Sequence, residues 1–485
     1  MRKAISQLTP LQATLWLIFA SSLLRLFVAG SAGLCVDEAH YALYGLHLDW
    51  SYFDHPPMVG WLQALILQFG ESDRALRVSA ILLFAASSLV LFRLCDVLFP
   101  QDSPWLGFIS VALMHSAAML QLIGLALIPE APLLLFALLS VLALHAVLNK
   151  GDLRSWLWLG ICLGLAALSK YTAVTLVPTV LLAFALTRQW GRLRGAGVWL
   201  ACGISLLCIV PILYWNAQHD WMSFTYQLHH GARNADWQVK RFALSELAQL
   251  LVFGPLIVVF GVIALFAAWK ERTHLGVGLC VATALPVLLL FGLGSGREIT
   301  LPHWTALAWV MLMPLAARWI VQHWQRAWVR AVTWGSVVYA VLLLLVMFSE
   351  FVHPWIPSHN RPLADLYGWQ QAAQRAESLR YEMESSAAAA PVLFVANWTQ
   401  GSRLAWYARP APVQVLDDRH DQFDLWFGSP QAGGRGVLVL WPNEDALAKV
   451  APHFDHCEAA GEFQTPEQGD VKSAFSFYGC EGWHE

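Results

Sequence analysis

The chain has 485 residues, of which 57% are hydrophobic and 13% charged, with 25 Trp, 25 Phe and a net charge of −3. An average soluble domain is about 45–50% apolar with glycine counted and about 25% charged, so a soluble chain of this length could not cover its own surface. Composition therefore excludes a disordered chain, a secreted disulfide miniprotein and an ordinary cytosolic enzyme, and the near-neutral balance offers no basic field for nucleic acid. A polytopic membrane protein remains.

A helix needs about 20 mainly apolar residues to cross a bilayer. About eleven spans are expected, at roughly 11–30, 76–99, 105–125, 131–148, 155–168, 171–187, 197–216, 245–269, 275–294, 303–321 and 329–350. The first resembles a signal peptide in its Met1-Arg2-Lys3 start. Its apolar stretch is longer than a signal core of about 7–15 residues, so a retained helix is expected. Arg25 inside it is expected to make an internal ion pair. With the N-terminus inside, the inner segments carry thirteen Lys and Arg and the outer connections seven. The positive-inside rule then favours that orientation and puts the C-terminus outside.

The chain divides into a membrane domain over 1–350, which includes a long outer loop at 31–73, and a tail over 351–485 of soluble composition. Strand-like runs at 391–396 and 436–441, with helix-like 364–384 and 443–451, read as a small extracytoplasmic α/β domain. Cys457 and Cys480 fall in that tail, where a disulfide is permitted; two free thiols are the alternative. Eight Cys contain no Cys-x-x-Cys pair, so there is no zinc pattern.

Polar residues cluster on the outer side. Asp37-Glu38, past the first span, could supply a general base for a hydroxyl or a cation ligand; equally, Asp37 could cap a helix running through Tyr41 and Leu46. Asp54-His55-Pro56-Pro57 is a rigid extended turn suited to a metal or a phosphate, or is a loop cap. Lys170 lies between two apolar runs, where a lysine must snorkel or find a partner, and a phosphate is the functional reading. Glu130 opens the fourth span, where an acid also suits the helix dipole. His229 and His230 are adjacent, so at most one could be a ligand on a helix. Arg297 and Pro302-His303-Trp304 end and open spans; an interfacial aromatic belt explains the latter equally well.

In order along the chain, these residues resemble a known family. Asp37-Glu38-Ala39-His40-Tyr41, then Tyr52-Phe53-Asp54-His55-Pro56-Pro57-Met58 and Trp61, are similar to the first outer loop of the GT-C-type glycosyltransferases of family 39. That family holds the protein O-mannosyltransferases and the bacterial transferases that put aminoarabinose on lipid A. Further matches to the bacterial branch are Pro129-Glu130-Ala131-Pro132, the run ending Ser169-Lys170-Tyr171, Trp215-Asn216-Ala217-Gln218-His219-Asp220-Trp221, and Pro302-His303-Trp304. In the tail, Val395-Ala396-Asn397-Trp398 and Leu404-Ala405-Trp406-Tyr407 also match it.

The resemblance implies a GT-C-like fold in the bacterial inner membrane. It implies a polyprenyl-phosphate-linked donor, undecaprenyl phosphate in bacteria, and inverting transfer to a lipid, glycan or protein acceptor outside the cytoplasm. Asp37 matches the catalytic aspartate and Glu38 its acidic neighbour. Lys170 matches a lysine near the donor phosphate, with Arg297 and His55 as candidates beside it. His40, Tyr41, Glu130, Tyr171 and His303 complete the expected donor and acceptor contacts. Asp54 with His230, or His229, matches a metal site of the aminoarabinose enzymes, so a divalent ion is the one cofactor implied. Two departures stand out. His40 replaces an Arg and His55 a Lys, which removes permanent charge near the phosphates. There is no room for the β-trefoil insertion of the mannosyltransferases. Rival readings are an O-antigen-type polymerase or ligase with a lipid-diphosphate donor, a lipid transporter or flippase, and an inactive scaffold.

Overall fold

The computed structural model describes residues 8–231, 236–298, 300–356, 364–384, 390–441, 444–465 and 473–484. Helix α1 (Pro10–Val28) is followed by α2 (Val36–Leu46), α3 (Met58–Leu67) and α4 (Asp73–Leu98). Two short helices, α5 (Leu106–Ser116) and α6 (Ala118–Ile123), are separated by an extended Ala117. Then come α7 (Glu130–Asn149), α8 (Leu153–Ser169) and α9 (Leu176–Leu186), the last entered through a 3-10 turn at Tyr171–Thr175. The membrane part continues with α10 (Ala196–Cys208), α11 (Val210–Gln218), α12 (Met222–Gly231), α13 (Val239–Phe253), α14 (Pro255–Ala268), α15 (Leu275–Val287), α16 (Ala306–Gln322) and α17 (Ala327–Val352). The tail holds α18 (Trp369–Glu384), β1 (Val392–Val395), α19 (Trp398–Ala408), β2 (Val413–Val415), α20 (Gln422–Phe427), β3 (Arg435–Leu440), α21 (Glu444–Val450), β4 (Phe454–Gln464) and β5 (Ala474–Trp483).

Every expected span coincides with apolar helix, but not every one is a single long rod. Among the described residues six stretches are long and apolar enough to cross a bilayer: α1, α4, α7, Leu275–Gly296, Pro302–Gln322 and α17. Counting the bent pairs α10–α11 and α13–α14 as one crossing each raises this to eight. The expected spans at 105–125, 155–168 and 171–187 are built from shorter apolar helices. The bend of 113° between α13 and α14 has a local cause. Gly254 sits at φ 90°, ψ 149°, a conformation that only glycine adopts without strain, and Pro255 then starts α14 at a position where its missing N–H costs nothing.

The chain forms two compact units. The first holds the segment ending at Leu26, Trp50–Val59 and Arg77–Met347. Within it α8 packs against α7 and α10, and α16 against α14 and α15. The second holds Phe27–Asp49, Gly60–Leu76 and the chain from Phe348 onward. The 31–73 loop is thus divided between the two.

In the second unit the five strands run in the order β2-β1-β3-β5-β4. β1 is parallel to β2 and β3, whereas β3–β5 and β5–β4 are antiparallel. The period-2 alternation of a strand divides the core. Leu393, Val395, Val437 and Val439 face a layer containing Trp369, Leu404, Trp406 and α2 residues Ala39, Ala42 and Leu43. Phe394, Leu438 and Leu440 face a smaller cluster with Val450 and Phe454. β4 and β5 are joined by the Cys457–Cys480 disulfide, directly across the ladder. Side-chain caps start several helices: Asp152 accepts from Ser155 N at 2.8 Å, Asn397 from Gln400 N at 3.1 Å, and Asp421 from Phe423 N at 2.8 Å.

Candidate active site

In the first unit three of the expected residues meet. Lys170 closes α8 in extended conformation (φ −161°, ψ 144°), so the chain leaves the helix there and turns into the 3-10 segment at Tyr171. Its Nζ donates to Glu130 Oε1, the first residue of α7. Both side chains are buried, 8% and 6% exposed. His303, in a 3-10 turn opened by Pro302, brings Nε2 to 3.2 Å from the same Glu130 oxygen. The Trp304 ring lies 5.9 Å from the ammonium, and His55 is within electrostatic reach of Glu130. Lys170 therefore does not snorkel, and Glu130 does more than complement a helix dipole. Three residues far apart in sequence make one buried, charged cluster.

The Asp54 turn is held by α12. Ser223 Oγ donates to Tyr52 O at 2.8 Å, Gln227 Nε2 to Asp54 O at 2.7 Å, and Phe53 packs on Tyr226 at 4.6 Å between ring centroids. Tyr52 N closes the turn onto His55 O at 3.2 Å. Sequence reasoning missed Ser223, Tyr226 and Gln227; their spacing of one helical turn before an outer His pair was the available signal. The buried Tyr171 hydroxyl lies beside Ser51, Ser223 and Asn216 and makes no hydrogen bond among the described residues.

His229 and His230 fall in the last turn of α12, with side chains outside the described residues. Among the described residues no group of three His, Cys, Asp or Glu side chains gathers as a metal site, and no step below passes through a metal. Arg297 is exposed at the end of the ninth expected span, and the Arg241 guanidinium donates to its carbonyl.

The other candidates belong to the second unit. The N-cap of α2 is Cys35, not Asp37. Asp37 is half-buried at the second helical position, and Glu38 Oε2 accepts from Cys35 N at 3.1 Å. His40 is buried in an aromatic shell of Tyr41, Tyr44, Trp398, Phe423 and Trp426, with centroids 5.0–5.9 Å away. Ser402 Oγ donates to Trp398 O at 2.9 Å, so His40 Nδ1, 3.2 Å from that oxygen, is assigned as its donor. His40 thus anchors α2 to α19. Burial pushes the half-buried His47 imidazole below its usual value where it stacks on Trp426 at 5.1 Å. Arg403, 2% exposed, donates to Asp365 at 2.9 Å and lies over the Trp369 ring at 4.4 Å.

Arg25 departs from expectation. It is fully buried, and its guanidinium lies over Phe84 at 4.2 Å. None of its nitrogens has a hydrogen-bond partner among the described residues. The expected ion pair is not found among the described residues.

Apolar helices thus surround a buried Lys–Glu–His cluster, and a small sheet domain follows them in the chain. The chain is similar to GT-C-type membrane glycosyltransferases over part of its length. Residues 54–215 match the family model described as dolichyl-phosphate-mannose-protein mannosyltransferase. The chain is 25% identical over 323 residues to the lipid A galacturonosyltransferase RgtD of Rhizobium johnstonii, a match covering 65% of this chain and 66% of that protein, just under two thirds of the relative's length. It shares the fold of ArnT from Cupriavidus metallidurans, in the apo state and bound to undecaprenyl phosphate. There the TM-score is 0.64 at 15% identity, covering 96% of this chain and 97% of the other.

Proposed function

We propose that the protein transfers a sugar from a polyprenyl-phosphate donor to a lipid acceptor at the outer face of the bacterial cytoplasmic membrane, with inversion at the anomeric carbon. The observation that carries this reading is the buried Lys170–Glu130–His303 cluster. A lipid phosphate leaves as an anion, so its departure needs fixed positive charge more than a proton. Glu130 occupies one of the three N–H bonds of the Lys170 ammonium, and the other two can meet phosphate oxygens. Asp37 accepts the proton of the acceptor hydroxyl as its oxygen attacks the anomeric carbon. The bond between that carbon and the phosphate oxygen breaks, and the polyprenyl phosphate departs with its electron pair. Glu38 keeps Asp37 in place by capping α2. His55, Tyr171 and Arg297 serve the donor and acceptor headgroups.

The relatives support this assignment: one is named for lipid A, the other was solved with undecaprenyl phosphate. A lipid A-type acceptor in the cell envelope is therefore proposed. The topology proposed is eleven crossings with α13 lying along the interface, the N-terminus inside and the tail in the periplasm. A divalent ion on Asp54 and His230 is retained as a proposal.

The test uses purified protein with radiolabelled undecaprenyl-phosphate sugars and a membrane lipid extract. Wild type is compared with Asp37→Ala and Lys170→Met, with and without chelator. Label should move to a lipid only with wild type, Asp37→Ala falling at least about 100-fold, the lower end for a general base. Loss on chelation would support the metal. Transfer only from a lipid diphosphate would move the assignment to a polymerase or ligase.

A further inference from the structure

The Arg25 environment has no role in the transfer chemistry above. α1 brings this guanidinium into the first unit with no exposed surface. Gly124, just past α6, leaves the space it needs, since a Cβ there would fall 3.0 Å from Nε and 2.8 Å from Phe84 Cγ. His115 packs edge-on to the same Phe84 ring, at 5.1 Å between centroids. Ser88 Oγ donates to Phe84 O at 2.8 Å and so accepts from His115 Nε2 at 3.0 Å. That leaves His115 Nδ1 buried with no partner among the described residues, and the same holds for Ser22 Oγ, one turn before Arg25, and for Ser87 Oγ.

Buried polar groups are almost always paired, and a charge inside the membrane normally faces another charge or a functional guest. Three guanidinium nitrogens left unmet in one buried cation are not explained by packing, whereas His115 Nδ1, an acceptor in this tautomer, offers a guest no hydrogen. Water could accept hydrogen bonds from the guanidinium, but only an anion also neutralises it. The planar fork of Arg suits a tetrahedral oxyanion, whose oxygens can take two of its N–H bonds at once.

We propose that Arg25 is the centre of an internal oxyanion-binding site for a phosphate group, separate from the Lys170 cluster. The group could be free phosphate or the headgroup of a phosphorylated lipid. This goes beyond the transfer reaction and does not depend on it, because binding is read without any sugar donor.

The experiment follows thermal unfolding of the purified full-length protein in detergent while titrating inorganic phosphate, with chloride at matched ionic strength as control. A saturable rise in Tm is expected with wild type and should vanish in Arg25→Met. Gly124→Ala keeps the charge but crowds it, and should weaken binding at least tenfold; it also serves if Arg25→Met does not fold. A second titration uses undecaprenyl phosphate in the Glu130→Gln/Lys170→Met background, where the Lys170 contribution is gone. A rise with inorganic phosphate identifies a free anion. A rise with the lipid alone, lost when Arg25→Met is added, identifies a headgroup. No saturable rise with either probe, or unchanged affinity in Arg25→Met and Gly124→Ala, overturns the proposal.

Discussion

Glu130→Gln is the sharpest probe of the central cluster. It removes a carboxylate whose side chain is 6% exposed and takes from the Lys170 ammonium, 8% exposed, the acid it pairs with. Breaking one side of a buried pair costs about 3–5 kcal/mol, because a charge is left desolvated and uncompensated. The Trp304 ring at 5.9 Å recovers little of that, as a cation–π contact contributes about 0.5–2 kcal/mol. Lys170→Met should cost less, near about 3 kcal/mol, since His303 at 3.2 Å can still face the carboxylate. The double variant Glu130→Gln/Lys170→Met removes both charges and should lie within about 1 kcal/mol of wild type, as replacements of buried pairs by uncharged groups often do. The assay is SDS-driven unfolding in mixed micelles, read by tryptophan fluorescence. At about 1.4 kcal/mol per factor of ten, Glu130→Gln should shift the unfolding constant by about 100-fold or more. A cost below about 1 kcal/mol for Glu130→Gln, or a double variant as unstable as the two singles summed, would refute the reasoning.

Three further outcomes are expected. Cys457→Ser or full reduction opens a link spanning 23 residues and should cost about 3 kcal/mol on the loop-entropy relation, seen as a lower unfolding midpoint and as faster proteolysis of β4. Ser402→Ala should cost about 1–3 kcal/mol by stranding the His40 N–H inside its aromatic shell, and His40→Phe in the Ser402→Ala background should recover part of it. Burial, reinforced by Asp421 and Asp424, raises the Asp417 pKa, so its charged form opposes folding above that value. Stability should therefore rise as pH falls through the folded pKa, and Asp417→Asn should raise the neutral-pH midpoint and flatten this dependence.

Membrane class and the positions of the helices were legible in the residues, because a bilayer demands long apolar stretches whatever they pack against. Strands β1 and β3 were legible for a similar reason: buried on both faces, they read as continuous apolar runs. β4 was not, since most of its residues are exposed and only pairing with β5 makes it a strand. The sharp bend at Gly254 was hidden because a hydropathy window is blind to a backbone angle. In the site, residue types placed Asp37, Asp54, Glu130, Lys170 and His303 among the candidates. Their partnerships belong to the tertiary structure. Glu130 meets Lys170 across 40 residues and His303 across a longer separation still, while Glu38 turns to its own helix and His40 to Ser402. Arg25 looked like half of an ion pair and has no hydrogen-bonded acid among the described residues. Local sequence reports what a side chain can do at a given depth; which group it faces depends on helices brought together from elsewhere in the chain, and that decides whether a buried charge is satisfied.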